Sequence, residues 1–138
     1  MIVGLGIIGG SYAKGFAKNG FDLCAIDNNP ETIQYALDNY IITEGSTTPD
    51  PEMVGKADLV IFALYPHIFK EWIAENQKYF KPGVFITDVT GVKGCIVDDI
   101  QKILRDDCEY IAAHPMAGCE KLGIQNSNEK IFYEANYI

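Results

Sequence analysis

The sequence predicts an α/β protein with a doubly wound, mostly parallel sheet, and three observations support that prediction. Short apolar runs alternate with segments of helical periodicity along the whole chain, with no internal repeat or low-complexity tract. Residues 59–64 are apolar without interruption, as in a parallel strand that is covered on both faces. The first apolar run passes through closely spaced glycines into a helical pattern. Such alternation predicts helices on both faces of one sheet.

The predicted elements follow in chain order. Residues 2–5 end a short first strand, and a helix follows over residues 7–18, where apolar side chains recur at helical spacing before Asn19-Gly20 forms a C-cap. A second strand over residues 21–26 leads to a helix over 30–40 with Pro30 at its first position. Then come a short strand at 41–42, a loop over 43–50, a helical turn at 51–55, a strand over 57–64, a helix over 67–80, a strand over 84–87, a helix over 95–104 and a strand over 110–113.

Length and composition predict one globular domain over residues 1–138. The chain is 48% hydrophobic and 22% charged, which is ordinary for a folded protein. Its net charge of −8 argues against a nucleic-acid partner, which would need clustered cations. No apolar run has the length of a membrane span, and no basic leader precedes the first strand. We therefore expect a cytoplasmic protein with neither a membrane nor a nucleic-acid partner.

The cysteines and histidines show no metal-ligand spacing. Cys24, Cys95, Cys108 and Cys119 are scattered and form no C-x-x-C pair. The two histidines, His67 and His114, are also distant from them in sequence. We expect reduced thiols and predict no metal site.

Gly4, Gly6 and Gly9 have the spacing G-x-G-x-x-G between the first strand and the first helix. The first glycine allows a tight turn, the second lets a pyrophosphate approach the backbone, and the third lets the helix pack close to the strand. The free N–H groups and the positive dipole end of the helix then face the anion. A simple glycine turn is the alternative. The strand before the motif, the helix after it and an acidic residue downstream favour a dinucleotide site.

Asp27 ends the second predicted strand, 18 residues after Gly9. A carboxylate there accepts hydrogen bonds from the ribose 2′- and 3′-hydroxyls and repels a 2′-phosphate. No basic residue stands at positions 28–30, so NAD is favoured over NADP. The alternative role is an N-cap or turn residue before the following helix, which Asn29 could also serve. The two roles are compatible.

Right-handed crossovers place the carboxyl ends of all strands along one edge of the sheet. The glycine turn, Asp27 and the segments 64–66, 88–91 and 114–115 all follow predicted strands, so they should line one crevice. This is the arrangement of a Rossmann-type dinucleotide-binding domain. The predicted cofactor-binding residues are Gly4, Leu5, Gly6, Ile7, Ile8, Gly9, Asp27, Asn28, Leu64, Tyr65 and Thr90.

Four segments resemble a known family. They are Gly-Leu-Gly-Ile-Ile-Gly-Gly-Ser at 4–11, Asp-Val-Thr-Gly-Val-Lys-Gly at 88–94, His-Pro-Met-Ala-Gly-Cys-Glu-Lys-Leu-Gly at 114–123 and Phe-Tyr-Glu-Ala-Asn-Tyr-Ile at 132–138. Together they resemble the nucleotide-binding half of prephenate dehydrogenase, with arogenate dehydrogenase as its close relative. The resemblance spans essentially the whole chain, and the third segment is specific because dinucleotide-binding folds in general lack it.

The resemblance implies an NAD-dependent oxidoreductase of tyrosine biosynthesis, which converts prephenate to 4-hydroxyphenylpyruvate by oxidative decarboxylation. His114 matches the catalytic histidine of the family, and Glu120 matches an acidic residue that shapes the substrate site. Histidine side chains titrate at about pH 6.5, which suits proton transfer from the substrate hydroxyl at neutral pH. The structural alternatives are a loop-packing role for His114 and, for Glu120, an exposed charge paired with Lys121.

This chain departs from the family pattern at Gly91. The family often carries a serine at the matching position, which hydrogen-bonds the substrate hydroxyl and the histidine. Glycine cannot do this, so we expect either the Thr90 hydroxyl or a bridging water to take its place, and Thr90 joins His114 and Glu120 as a candidate catalytic residue. Lys93 is expected to be a structural or phosphate-facing cation rather than a base.

Prephenate carries two carboxylates, whereas this chain is acidic and has a single arginine. Arg105 is predicted away from the crevice, which leaves Lys93 and Lys121 as the plausible cations. In the family a C-terminal helical domain completes the substrate site, supplies arginine and forms the homodimer. We expect the chain to be an isolated cofactor domain that binds NAD and turns over prephenate poorly by itself. The alternatives are arogenate as substrate, another hydroxy-acid dehydrogenase, and a non-catalytic nucleotide-sensing domain.

Overall fold

The computed structural model describes residues 1–138 and contains one six-stranded parallel sheet. The strands are β1 (Ile2–Val3), β2 (Cys24–Ile26), β3 (Glu44–Ser46), β4 (Leu59–Phe62), β5 (Phe85–Asp88) and β6 (Glu109–Ile111). The helices are α1 (Ile7–Lys18), α2 (Pro30–Asp38), α3 (Pro51–Lys56), α4 (Pro66–Asn76) and α5 (Val97–Ile103). Short 3₁₀ turns occupy Gln77–Tyr79, Lys93–Cys95, Ile124–Asn126 and Glu129–Phe132. The predicted fold class is confirmed.

The strand order is β3-β2-β1-β4-β5-β6, which places the first strand in the middle of the sheet. Ile2 pairs in parallel with Ala25 on one side and with Ile61 on the other. The chain therefore winds outward from β1 in both directions, and the order reverses between β1 and β4. In open parallel sheets, ligands bind in the crevice at the carboxyl ends of the strands beside such a reversal.

Two apolar cores cover the faces of the sheet. On one face Phe62 of β4 packs against Phe69 and Trp72 of α4, with ring centroids 4.5 Å and 4.9 Å apart. On the other face Ile2 and Ile61 pack with residues of α1 and α2. Because successive strand residues point to opposite faces, the uninterrupted apolar run of β4 supplies both cores.

The third strand lies later in the chain than predicted. Ile41 and Ile42 form no strand; both side chains are buried in the core, 6% and 4% exposed. The strand is β3, inside the segment that was predicted to be a loop, and it pairs with β2 from Glu44 to Ser46. Gly45 packs against α2, since a Cβ there would lie 2.8 Å from Ile33. A polar edge strand of three residues lacks the apolar signal that marks the inner strands.

Several predicted boundaries were wrong by a few residues. β2 begins only at Cys24, and Phe21, the predicted first residue of the strand, is 60% exposed. α2 ends at Asp38, and Tyr40 adopts a positive φ of 55° in the turn that follows. β4 covers less than the predicted 57–64, and α4 ends at Asn76, where a 3₁₀ turn replaces its predicted last turn. The helix predicted over 95–104 is the shorter α5, which follows the 3₁₀ turn at Lys93–Cys95, and β6 ends at Ile111 instead of 113.

After β6 the chain crosses the carboxyl edge of the sheet and returns to α1. Lys14 on α1 donates to the carbonyl oxygens of Ile124 and Ser127, at 3.0 Å and 2.7 Å. An antiparallel bridge between Pro115 and Tyr137 closes the segment. Residues 117–123 are thereby held beside the glycine turn. None of the helices has the length and apolar character needed to cross a membrane.

Candidate functional site

A crevice of about 720 Å³ opens at the carboxyl edge of the sheet, beside the reversal between β1 and β4. Most of the predicted cofactor residues line it, namely Gly4, Gly6, Ile7, Ile8, Gly9, Asp27, Asn28, Leu64 and Tyr65. The side chains of Leu5 and Thr90 are buried outside this lining, at 1% and 6% exposure. The positions of the strand ends therefore predict where the crevice lies. They do not predict which of the neighbouring side chains point into it.

The three glycines of the turn serve different physical needs. Gly4 has a positive φ of 92°, and a Cβ there would lie 2.5 Å from the carbonyl oxygen of Ala63. A Cβ on Gly9 would lie 1.9 Å from the carbonyl oxygen of Gly4. A Cβ on Gly6 would meet nothing within 4 Å, although this residue lines the crevice. The first and third glycines are thus required by packing, and the second leaves space on the crevice side.

The amino end of α1 is left without side-chain capping. Gly6 is the N-cap residue, no side chain bonds to the first turn, and no acidic residue lies in that turn. The first N–H groups of a helix lack intrahelical partners, and the helix dipole adds partial positive charge there. Together with the open side of Gly6, these N–H groups fit the pyrophosphate of a dinucleotide.

Asp27 is held in the crevice wall by backbone N–H groups. One carboxylate oxygen accepts from Leu5 N at 2.7 Å and the other from Asn29 N at 2.9 Å. The N-cap of α2 is Asn29, whose side chain accepts from Glu31 N at 2.9 Å. Asn29 is thus the N-cap of α2, while Asp27 acts as a turn residue before it through the bond from Asn29 N, and this role is compatible with ribose binding. Each carboxylate oxygen retains acceptor capacity, so the oriented carboxylate can still receive ribose hydroxyls.

The crevice also contains residues that the sequence analysis did not assign to it. Thr47 and Pro49 line it because they follow β3, which lies beside β2. The sequence analysis predicted the third strand at 41–42 and therefore did not predict these two residues in the crevice. Ile68 and Trp72 line it from α4, and residues 117–119 and 121–123 line it from the segment after His114. A correct position for β3 would have predicted the first pair; the others depend on side-chain direction and on the return of the chain to α1.

The His114 imidazole is anchored through one nitrogen. Its Nδ1 lies 2.7 Å from the carbonyl oxygen of Val89, a residue of the crevice wall. A carbonyl oxygen can only accept, so Nδ1 carries the proton and the neutral ring has its lone pair on Nε2. A Cβ on Gly91 would lie 3.4 Å from Nε2. The absent side chain at position 91 therefore leaves open the space next to the basic nitrogen.

Thr90 and Glu120 are arranged differently from the catalytic roles predicted for them. The Thr90 hydroxyl donates to the buried carboxylate of Asp88, so its hydrogen is directed into the protein instead of toward the crevice. Glu120 is exposed and does not line the crevice, although its neighbours Cys119 and Lys121 do. None of the three predicted catalytic residues belongs to the crevice lining; His114 is connected to it through Val89, and its Nε2 has no hydrogen-bond partner in the protein.

The basic side chains near the site have distinct partners. Lys93 pairs with Asp88 at 2.7 Å, which is the structural alternative of the two predicted for it. Lys121 is the one basic side chain in the crevice lining. Arg105 pairs with Asp107 and donates to the carbonyls of Gln77 and Phe80, outside the crevice. The crevice thus offers backbone N–H groups and one lysine to an anionic ligand.

The chain is similar to known dehydrogenases over its whole length. The family described as "Prephenate dehydrogenase, nucleotide-binding domain" matches residues 12–138. A prephenate dehydrogenase of Bacillus subtilis (strain 168) is 29% identical over 142 aligned residues, which cover 100% of this chain and 38% of that protein.

Two solved structures share the fold. A crystal structure of prephenate dehydrogenase from Aquifex aeolicus, in complex with hydroxyphenyl propionate and NAD⁺, has a TM-score of 0.87 and 32% identity, and the match covers 99% of this chain and 48% of that one. The arogenate dehydrogenase of Synechocystis has a TM-score of 0.89 at 24% identity, covering 99% and 47%. The chain thus spans less than half the length of each of these relatives.

Proposed function

The chain belongs to the prephenate dehydrogenase nucleotide-binding domain family, and on that premise we propose that it is the cofactor-binding part of an NAD-dependent enzyme that oxidatively decarboxylates prephenate to 4-hydroxyphenylpyruvate. The observation that carries the proposal is the orientation of His114: Nδ1 donates to the carbonyl of Val89, a crevice-lining residue, and Nε2 is free beside Gly91. An imidazole held in this tautomer can accept a hydroxyl proton, which the oxidation of an alcohol requires.

The cofactor proposal rests on the crevice geometry. The uncapped N–H groups of α1 would hold the pyrophosphate, and the Asp27 carboxylate would accept the hydroxyls of the adenosine ribose. Asn28, Asn29 and Pro30 offer no cation for a 2′-phosphate, so NAD is preferred to NADP. The similar A. aeolicus enzyme was crystallised with NAD⁺. When bound, this cofactor supplies the hydride acceptor.

The proton chemistry falls to His114. As the substrate carbinol is oxidised to a carbonyl, with a bound NAD as the hydride acceptor, its hydroxyl proton would move to Nε2. When CO₂ departs and the ring becomes aromatic, the imidazolium would return that proton to the phenolate oxygen. The imidazolium that forms keeps its Nδ1 hydrogen bond to Val89. The substrate hydroxyl can approach Nε2 directly or through a water, because position 91 has no side chain in that space.

The geometry distinguishes the roles of Thr90, Glu120 and Lys121. Thr90 is assigned a structural role, because its hydroxyl is already bonded to Asp88. Glu120 stays a proposed shaping residue of the substrate site on the family resemblance alone. Lys121 is proposed to meet an anionic group of cofactor or substrate, since it is the one basic side chain in the crevice lining. One ammonium does not match a substrate with two carboxylates.

We therefore propose that a further helical domain supplies the missing cations and the homodimer contact, as the family resemblance implies. The 138 residues would then bind NAD and turn over prephenate poorly by themselves. This part of the proposal rests on the charge balance of the crevice, which contains Asp27 and Lys121 as its charged side chains.

Two parallel absorbance assays test the proposal. The natural-length protein is mixed with NAD and prephenate, then with NAD and L-arogenate, while NADH formation is followed; NADP replaces NAD in parallel. We expect turnover with prephenate and NAD. Turnover with arogenate alone would transfer the substrate assignment to that compound, and no turnover with either would leave a nucleotide-binding domain without this chemistry.

A further inference from the structure

We infer that the Asp88–Lys93 ion pair is a positioning device that fixes the location and the tautomer of the His114 imidazole. The inference rests on the proposed function, in which His114 Nε2 accepts the substrate proton. Lys93 and Asp88 do not themselves belong to the crevice lining, and neither side chain hydrogen-bonds the imidazole. They act on the two backbone segments to which the histidine is attached.

Asp88 is the centre of the network. It ends β5, it is 0% exposed, and its carboxylate accepts from donors on two different elements. Thr90 N donates at 2.9 Å, Tyr110 OH on β6 at 2.8 Å, and Lys93 Nζ at 2.8 Å and 2.7 Å to the two oxygens. Burial and the hydrogen bond to Asp88 raise the pKa of Tyr110, so this phenol remains a donor. A buried carboxylate needs such partners.

Lys93 connects this carboxylate to the segment that carries the histidine. Its Nζ also donates to the carbonyl oxygen of Ala113 at 2.5 Å, and Ala113 directly precedes His114. On the other side, Val89 directly follows Asp88, and its carbonyl accepts the Nδ1 proton of His114. One ammonium group therefore ties the backbone before His114 to the strand end that holds its ring.

The position of the pair explains why it is ionic. Buried ion pairs are often replaceable by apolar residues without loss of stability, because desolvation cancels much of their attraction. Here apolar side chains would leave the carbonyl of Ala113 and the hydroxyl of Tyr110 without their present partners. The ion pair holds the Val89 carbonyl and the His114 backbone at a fixed distance from each other. The imidazole then has one tautomer, with the lone pair on Nε2.

The test uses the double variant Asp88→Asn with Lys93→Met. Lys93→Met alone would leave a buried carboxylate without its counter-ion and destabilise the fold, whereas the double variant removes both charges together. The control is Lys70→Met, which breaks the exposed Lys70–Asp99 pair of 3.0 Å outside the crevice. Thermal unfolding followed by circular dichroism compares the stability of all three proteins.

The tautomer is read by long-range ¹H–¹⁵N NMR of ¹⁵N-histidine in the 138-residue chain. The sequence has two histidines, so His67→Gln assigns both spectra. We expect wild type and Lys70→Met to show His114 protonated at Nδ1, and the double variant to show a mixture of tautomers. A wild-type ring protonated at Nε2, or a folded double variant with an unchanged Nδ1–H tautomer, would overturn the inference.

Kinetics of the natural-length protein give the second readout. The double variant should lower kcat roughly 10–100-fold, the usual effect of removing an outer group that orients a functional histidine. The KM for NAD should stay unchanged because the glycine turn and Asp27 are not touched. Lys93→Arg, which keeps the cation, should recover kcat toward wild type. An intact tautomer response in a protein without prephenate activity would reject the proposed function and leave the positioning inference standing.

Discussion

The glycine-turn side and the histidine side of the crevice are built from different parts of the polypeptide. On the first side, backbone N–H groups and missing side chains make the site, and Gly4, Gly9 and Asp27 hold it together over a short stretch of sequence. On the second side, His114 depends on a network of side chains from β5, β6 and the turn at Lys93–Cys95. The first is a property of the fold, and the second is a property of particular side chains.

This difference predicts how each side fails. Substitutions in the glycine turn act through atomic overlap, so they alter folding or cofactor affinity. Substitutions around His114 change which ring nitrogen carries the proton and how the ring is oriented. They therefore alter the chemical step while leaving the crevice in place. Single substitutions on each side can therefore separate a loss of stability or cofactor affinity from a loss of the chemical step.

Replacing His114 by asparagine removes the proposed proton acceptor. In the natural-length protein we expect kcat for prephenate to fall roughly 10²–10⁴-fold, the range for loss of one acid–base group. The dissociation constant for NAD should not change, because the ring is hydrogen-bonded to Val89 and not to the glycine turn or Asp27. Stopped-flow NADH absorbance and calorimetry measure the two quantities. His67→Asn, at the exposed start of α4, is the matched control. An unaltered kcat would remove His114 from the mechanism.

Replacing Gly9 by alanine tests the packing of the turn. The added Cβ would lie 1.9 Å from the carbonyl oxygen of Gly4, so α1 must move. We expect a loss of about 1–3 kcal/mol in the free energy of unfolding, as for other overpacked sites. Gly6→Ala is the matched control, since its Cβ meets no protein atom, and it should retain stability while weakening NAD binding. Urea titrations compare the free energy of unfolding of the two variants. Equal values would show that α1 accommodates the added methyl group at position 9 without strain.

Replacing Asp27 by asparagine tests the nucleotide choice. The amide keeps an acceptor for one of the two backbone N–H groups but removes the charge. Hydrogen bonds to charged groups contribute about 1.5–3 kcal/mol, so NAD affinity should fall roughly tenfold or more, and the preference over NADP should shrink. Calorimetric titrations with each dinucleotide measure this. Retained discrimination would assign Asp27 to the backbone alone.

Replacing Gly91 by serine should have the smallest effect. A Cβ at this position would lie 3.4 Å from both Cε1 and Nε2 of His114, so a serine hydroxyl could replace the bridging water, accepting from the substrate hydroxyl and donating to the free nitrogen. One neutral hydrogen bond contributes about 0.5–1.5 kcal/mol, which predicts an increase in kcat of roughly twofold to tenfold. Gly91→Ala has the same Cβ without the hydroxyl and serves as the control. Equal rates for both variants would show that no hydroxyl is needed beside Nε2.

The sequence predicted most of the fold because its inner strands and its helices have strong periodic signals. The glycine spacing located the turn, and the strand ends located the crevice around it. The predictions were wrong where the signal is weak or not local. β3 is polar and short, so the apolar pair Ile41 and Ile42 was assigned the strand instead.

Side-chain direction was the other quantity that spacing could not provide. Thr90 lies in the predicted loop, yet its hydroxyl turns inward to Asp88. The hydrogen bond from Lys93 to the Ala113 carbonyl was also not predictable, because the two residues are 20 positions apart along the chain. Such pairings depend on which atoms meet after the sheet has formed, and periodicity contains no information about them.

Titration of NAD into the 138-residue chain, with His114→Asn in parallel, tests the division between the two sides of the crevice most directly. The glycine turn and Asp27 predict one saturable site in both proteins with the same dissociation constant, because the backbone-built side is independent of the imidazole. Gly6→Ala should weaken that site in either background. Absence of binding heat at millimolar NAD, or binding that His114→Asn abolishes, would contradict the account.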